Sequence, residues 1–442
     1  MADPGRRLAL VNVGAVATGP VAAGPVRHPS WYDVGVLRGV GIGIEEDRVA
    51  LIAPDDEVGE WYHDAALPDT VVDCGGRLVT AGLVDAHTHA VFGRPRLGDH
   101  ARRARGEDYK SIAAAGGGIL STVTDFRSRS EDELVALALP RLALMASLGT
   151  TVVEIKSGYG LALEPELKAL RVVARLRELV PQRLVATFLG AHEVPPEFRS
   201  RRDAYIRLLV EEMLPAVARA GLASFCDVFC EPGVFSVEES AAILGVAAAH
   251  GLGLKVHADE LDPSGGAELA ARLGATSADH LGAVSAAGIE ALAASDTVAV
   301  LLPGTLMFLG KSRQAPAREL VDAGAVVALA TDFNPGSSPG ANLPLMMTLA
   351  VSQARLQPEE AFIAATANAA HALGLAAEKG RVGVGLPADL VVWNCRDVRE
   401  LAYWYGMPLA WRVYASGRPC HAPAPGISSA GSPGGPLSPP LS

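Results

Sequence analysis

The twelve residues Leu78-Val79-Thr80-Ala81-Gly82-Leu83-Val84-Asp85-Ala86-His87-Thr88-His89 mark the point where the chain changes character. An apolar run with strand character, 78–85, ends in a His-x-His pair. Beyond it, short apolar runs alternate with longer amphipathic ones. Further strand-like runs cover 150–155, 183–189, 225–229, 252–256, 276–279, 297–301 and 326–330. Helical patterns cover 131–148, 164–180, 201–220, 236–250, 264–273, 285–294 and 315–323. Ser130 with Glu133, and Ser236 with Glu239, have the spacing of capping boxes. Gly149, Gly221, Gly251 and Gly324 stand where helices should stop. Strand then helix, repeated eight times over about 270 residues, is the arithmetic of a (β/α)8 barrel. A doubly wound open sheet is the competing architecture.

Outward from this core the pattern is less even. About 60 residues separate the first strand from the second, a long excursion on one side of a barrel. After the eighth strand come helical runs at 342–354 and 358–374, then strand-like runs at 380–393 and 411–417. Upstream, 1–78 is rich in Val, Gly and Pro, with apolar runs at 8–13, 34–44, 48–52 and 70–72 that suit a small antiparallel β unit. The glycine-rich stretch 39–43 has no helical pattern after it, which argues against a phosphate loop. The expected fold is therefore α/β: a TIM-like (β/α)8 barrel over 79–379, joined to a small discontinuous β-sandwich domain built from 1–78 and 380–420. Residues 421–442 contain six Pro, four Gly and five Ser, the composition of a disordered tail.

Composition narrows the function classes. The 442 residues carry 38 Lys and Arg against 49 Asp and Glu, a formal charge of −11. That balance offers no electrostatic footprint for nucleic acid or an anionic membrane. No stretch approaches a membrane span. The five cysteines are odd in number and irregular in spacing, as expected for buried reduced thiols in a cytoplasmic protein.

Barrel enzymes build their sites at the C-terminal ends of the strands. Residues two apart in an extended segment share a face, so His87 and His89 can reach one metal ion. The fifth strand ends at His257, the sixth at His280, and the eighth near Asp332. Three imidazoles and one carboxylate suit a first-row cation such as Zn or Fe, which acidifies a water for hydrolysis. Asp332 could take the water proton, and His280 could donate to a carbonyl oxygen as charge develops. Glu260, three residues past His257, could carry a proton to a leaving nitrogen, or could instead orient His257.

The stretch Gly82–His89 and the late Thr331-Asp332 resemble the amidohydrolase superfamily of metal-dependent barrels. Glu154-Ile155-Lys156-Ser157-Gly158-Tyr159-Gly160, Phe188-Leu189-Gly190-Ala191-His192-Glu193-Val194-Pro195, His257-Ala258-Asp259-Glu260 and Asp332-Phe333-Asn334-Pro335-Gly336-Ser337 narrow the resemblance to the imidazolonepropionase family. The similarity runs from about residue 8 to residue 420. It implies hydrolytic opening of the lactam ring of 4-imidazolone-5-propanoate to N-formimino-L-glutamate, the third step of histidine degradation. It further implies one Zn or Fe ion per subunit on His87, His89, His257 and Asp332, with Glu260 as proton shuttle and His280 as carbonyl polariser. Arg96, Tyr159, His192, Glu260, Asn334, Gly336 and Ser337 match substrate- or product-binding positions. A guanidinium fork suits a propionate carboxylate, and Arg94 and Arg102 stand close enough in sequence to serve instead of Arg96. Tyr109 is a further candidate for the substrate. Asn334-Pro335-Gly336 also reads as an ordinary turn. The fourth strand, Asp227-Val228-Phe229-Cys230-Glu231, lacks the metal-bridging lysine that many members of that superfamily carry there, which argues for a single ion. Lys156 is expected as a buried ion-pair partner of Glu154 or Glu193. A homodimer is plausible for this family. Two rival readings are an aminohydrolase of the cytosine or guanine type, and a catalytically dead barrel acting as a binding module.

Overall fold

The computed structural model describes residues 7–63, 71–107, 111–112 and 115–422. Tyr109 and the residues from 423 onward, most of the expected tail, lie outside the described residues. Eight parallel strands follow one another in chain order: Leu83–Asp85, Thr150–Lys156, Arg183–Ala191, Phe225–Cys230, Gly253–Ala258, Ser277–His280, Val298–Leu301 and Val327–Leu329. The ends of this sheet meet at its upper rim. The backbone N–H of Asp332 donates to His87 O at 3.0 Å, and that of His89 donates to Phe333 O at 2.9 Å. Just below, the Asp85 carboxylate accepts the Thr331 N–H at 3.0 Å and its hydroxyl at 2.6 Å. The residues that close the barrel are thus neighbours of the predicted site.

The helices between the strands begin and end where local chemistry dictates. Glu131–Ser147 and Val237–Ala249 both open on reciprocal capping boxes, from Ser130 with Glu133 and Ser236 with Glu239. Each satisfies two otherwise orphaned groups at the helix start. Gly221 and Gly324 end their helices in the left-handed region, with φ of 62° and 88°. The long excursion after the first strand contains helices Leu97–Ala104 and Ile119–Ser128 before Glu131–Ser147.

The apolar run 78–85 does not form one strand. It is cut at Gly82 into Leu78–Ala81, which belongs to a different sheet, and the first barrel strand. A Cβ at Gly82 would lie 2.1 Å from Thr151 Oγ1, so only glycine fits where the chain passes from one sheet to the next.

Two further sheets are built from the chain ends, the first from the N-terminal end alone and the second from both. One has four strands in the order Arg48–Ala53, Gly41–Glu45, Arg7–Val11, Val71–Asp73. The other has six, in the order Arg418–His421, Ala410–Ala415, Leu390–Trp393, Leu78–Ala81, Ala15–Ala17, Val36–Leu37. Leu8, Leu10, Ile42 and Ile44 of the first sheet share one apolar cluster with Val16, Val79, Leu390 and Val392 of the second. Side chains alternate across a strand, so the opposite face of the second sheet points elsewhere. There Leu78, Val391, Trp393 and Val413 join the main barrel core. Trp393 is fully buried, and its Nε1–H donates to Thr80 Oγ1 at 2.9 Å. The expected antiparallel unit is in fact mixed: Arg7–Val11 runs parallel to Val71–Asp73, and Ala15–Ala17 parallel to Leu78–Ala81. The helix Asp55–His63 is an addition to the expected elements, opened by Asp55, Asp56 and Glu57 in its first turn.

All five cysteines are free, and all but Cys420 are buried. Among the described residues, no helix is long and apolar enough to cross a membrane.

Candidate active site

His87, His89 and Asp332 present ligand atoms within 4.8 Å of one another at the closed rim. His87 Nε2 lies 3.5 Å, and His89 Nε2 3.7 Å, from Asp332 Oδ1. The His257 ring sits 4.6 Å from that of His87 and 5.7 Å from that of His89. Two of these imidazoles are backed by buried carboxylates. His87 Nδ1 meets Asp279 Oδ2 at 2.6 Å, and His257 Nδ1 faces Asp227 Oδ2 at 2.9 Å, off the N–H direction. A carboxylate behind Nδ1 fixes the tautomer and leaves Nε2 as a lone-pair donor. His87 Nε2 and His257 Nε2 are buried with no hydrogen-bond partner among the described residues. Unpaired nitrogens of this kind are costly in an apolar interior unless something binds them. The donor set fits a divalent or trivalent transition-metal ion, for which the neighbouring Asp332 would supply the anionic ligand. Thr305 holds that carboxylate by donating to Oδ2 at 2.7 Å, which leaves Oδ1 toward the histidines.

The backbone is strained at this rim. His280 has φ of 80° and Asp332 has φ of 52°, both in the left-handed region that non-glycine residues seldom occupy. Both side chains lie against the histidine cluster. The His280 ring packs 5.0 Å from His257, and its Nε2 lies 3.6 Å from Glu260 Oε2. Burial, then the neighbouring His257, hold His280 well below its ordinary pKa, so it is a neutral ring. Burial, with the charge of Asp332 added, pushes the Glu260 carboxyl up to about 8. Burial also raises Asp332 to about 6. Two adjacent carboxyl groups whose proton affinities differ are what acid–base chemistry near neutrality requires.

Glu260 is held by its own loop. The Glu231 carboxylate accepts the backbone N–H groups of Glu260, Leu261 and Asp262 at 3.1, 3.1 and 2.8 Å. Asp259 accepts those of Ser264, Gly265 and Ala267 at 2.6, 3.0 and 2.9 Å. The loop after the second strand is braced in the same way, by Glu166 on the N–H groups of Gly158, Gly160 and Leu161.

A cavity of about 720 Å³ opens above the cluster, lined by His89, Arg96, Tyr159, His192, Glu260, His280, Asp332, Asn334 and Ser337 together with Arg103, Glu231 and Lys311. Tyr159 and His192 form one wall. The His192 ring stacks on His89 at 5.1 Å, and its Nδ1 is 3.1 Å from Gly158 O. Arg96 crosses over Gly336, where a Cβ would lie 1.4 Å from Arg96 Nη2. Arg96 Nε is buried and has no hydrogen-bond partner among the described residues. Arg94 is exposed and pairs with Asp125 at 3.0 Å, Arg102 pairs with Glu107 at 2.6 Å, and neither lines the cavity. Asn334 is engaged in its own loop. Its Oδ1 accepts the N–H groups of Gly336 and Ser337 at 2.8 Å each, and its amide donates to Asp332 O at 2.7 Å. The turn reading of Asn334-Pro335-Gly336 and its position at the cavity are therefore both visible in one segment.

Asp227, Asp279, Thr305, Glu231 and Arg103 have no place among the residues expected from sequence. Asp227 is the single charged residue of the apolar strand Phe225–Cys230, and Asp279 is the one carboxylate of the strand Ser277–His280; a fully buried carboxylate there signals a buried partner. Thr305 and Glu231 belong to no motif. Lys156 contacts Glu154 as expected, but its other partners are Asp227 and Asp279 rather than Glu193.

The model of the amidohydrolase family matches residues 78–410. An imidazolonepropionase of Symbiobacterium thermophilum is 48% identical over 93% of this chain and 97% of its own length. One from Bacillus velezensis is 46% identical over 92% and 96%. Among solved structures, an adenosine deaminase from Xanthomonas campestris with bound zinc superposes with a TM-score of 0.67 at 18% identity, covering 93% of this chain and 92% of that one. At that identity the likeness concerns the fold alone.

Proposed function

The chain belongs to the amidohydrolase family and, within it, to the imidazolonepropionases, and from that membership we propose how its residues divide the reaction. It is a hydrolase of histidine degradation that acts on a cyclic amide. Water adds to the lactam carbonyl carbon of 4-imidazolone-5-propanoate, the ring C–N bond breaks, and N-formimino-L-glutamate is released. The observation that carries the division of roles is the convergence of His87, His89, His257 and Asp332 at one rim, with Glu260 and His280 beside them. One Zn or Fe ion held by those four residues would polarise the carbonyl and acidify the attacking water.

The remaining work falls to the chain's own groups. Asp332 receives the proton of the attacking water, while Thr305 holds its carboxylate in place through Oδ2. His280, a neutral ring, donates its N–H to the carbonyl oxygen as negative charge grows there. Glu260, whose carboxyl burial pushes up to about 8, hands a proton to the ring nitrogen as the C–N bond breaks. Glu231 fixes that carboxyl through three backbone N–H groups. Arg96 pairs with the propionate carboxylate, and Gly336 leaves room for its guanidinium. Tyr159 and His192 flank the ring, and Asn334 with Ser337 shapes the side from which product leaves.

The test is incubation of the purified, metal-loaded protein with 4-imidazolone-5-propanoate and identification of the product by mass. A product heavier by one water, co-eluting with N-formimino-L-glutamate, is expected. Ammonia release would instead indicate an aminohydrolase, and unchanged substrate with metal bound would indicate a binding module.

A further inference from the structure

Lys156 sits in the middle of the barrel, fully buried, and takes no part in the division of roles above. An ammonium group has three protons to donate. Three carboxylates surround this one: Glu154 at 3.0 Å, Asp227 Oδ2 at 2.7 Å and Asp279 Oδ2 at 3.3 Å. Two of those acceptor atoms are shared with the candidate site. Asp227 Oδ2 also faces His257 Nδ1 at 2.9 Å, and Asp279 Oδ2 also meets His87 Nδ1 at 2.6 Å. One cation on the second strand thus ties together the carboxylates of the fourth and sixth strands. Those in turn stand behind imidazoles of the fifth and first. Glu154, the third partner, is held from below by the Thr187 hydroxyl at 2.5 Å and by Lys255 at 3.5 Å.

We propose that Lys156 is a positioning residue of the metal site: its ammonium holds Asp227 Oδ2 and Asp279 Oδ2 in place behind His257 Nδ1 and His87 Nδ1, which orients both rings and aims their Nε2 atoms at one point. The physical reason is mutual repulsion. Asp227 and Asp279 are both fully buried, with no solvent to screen them. Without a cation between them, the two carboxylates turn apart, and the imidazole in front of each loses its anchor. An ion pair serving only the fold has no need to share its acceptor atoms with two candidate ligands.

The inference rests on the assignment of His87 and His257 as metal ligands, and the experiment separates the two claims. Zinc is the probe, and its dissociation constant is measured by chelator competition. The proteins are the natural chain, His87→Ala, Lys156→Arg and the double variant Lys156→Met/Glu154→Gln, which removes one charge of each sign. Thermal unfolding is followed with and without zinc. If the natural chain and His87→Ala bind zinc equally, the ligand assignment fails, and this inference with it. If His87→Ala loses zinc, the assignment stands and the Lys156 variants decide. The double variant is expected to unfold cooperatively and to bind zinc about 10- to 100-fold more weakly, the range typical for loss of a ligand's supporting partner. Lys156→Arg is expected between it and the natural chain, because a planar guanidinium cannot reproduce three convergent contacts in that space. A folded double variant with unaltered zinc affinity overturns the proposal. So does an unfolding temperature lowered equally with and without zinc. Should the double variant not fold, Lys156→Arg decides: weakened zinc binding supports the proposal, and unaltered binding overturns it.

Discussion

The mouth of the barrel and the two-sheet module built from the chain ends are both buried, yet they are made in opposite ways. In the module, Leu8, Leu10, Ile42, Ile44, Val79 and Val392 fill the space between two sheets, and the chain is held by apolar area and paired backbone. At the mouth, ring nitrogens of His87, His89, His257 and His280 are buried without hydrogen-bond partners among the described residues, and His280 and Asp332 occupy left-handed backbone. Features that would count as defects in the module are concentrated where the chemistry is. Native structures tolerate such groups when the surroundings over-determine them. Here the surroundings are the carboxylates beneath and beside the rim: Asp227, Asp279, Glu231 and Asp259.

The comparison predicts two classes of variant. The largest effect on turnover is expected from His87→Ala, which should drop bound metal from about one equivalent per chain toward none and abolish hydrolysis. Elemental analysis with a turnover assay checks both, and full metal content would break the ligand assignment. Next comes Glu260→Gln, isosteric but unable to move a proton. Turnover should fall by about 10²- to 10⁴-fold, the usual worth of a general acid or base, with metal content kept. Near-natural turnover would remove Glu260 from its role. Arg96→Ala should act mainly on substrate affinity. Loss of a charge-assisted pair worth about 1.5–3 kcal/mol corresponds to a Michaelis constant raised roughly 10- to 100-fold. An unchanged constant would point to Arg103 or Lys311, the other cations lining the cavity. Smallest for activity is Ile44→Ala in the module. It should lower stability by about 2–5 kcal/mol through cavity formation and leave kcat/KM of the folded protein unaltered. A loss of kcat/KM at constant folded fraction would mean that the module and the mouth are coupled.

Sequence periodicity carried the barrel because its strands and helices have different periods and clear caps. It failed at 78–85, where one apolar run serves two sheets. The break there is set by the crowding of Gly82 against Thr151, a contact made only after folding. It also read the module as antiparallel, since strand direction between distant segments leaves no local mark. In the site, His87 and His89 were legible from a spacing of two in an extended segment. His257, His280 and Asp332 were legible from their positions at strand ends. The residues that hold them were not. Asp227 and Asp279 are lone carboxylates whose partners lie on other strands, and Thr305 reaches Asp332 across 27 positions of chain. Lys156 was expected near Glu154, but its two further acceptors required the barrel to be closed.

The central claim is that four residues from strands one, five and eight hold one metal ion at the mouth. An anomalous difference map from crystals of the metal-loaded protein tests it most directly. One peak is expected per chain, at about 2.0–2.2 Å from nitrogens of His87, His89 and His257 and from Asp332 Oδ1. Two peaks at the mouth, or a single peak bound without these residues, would contradict it.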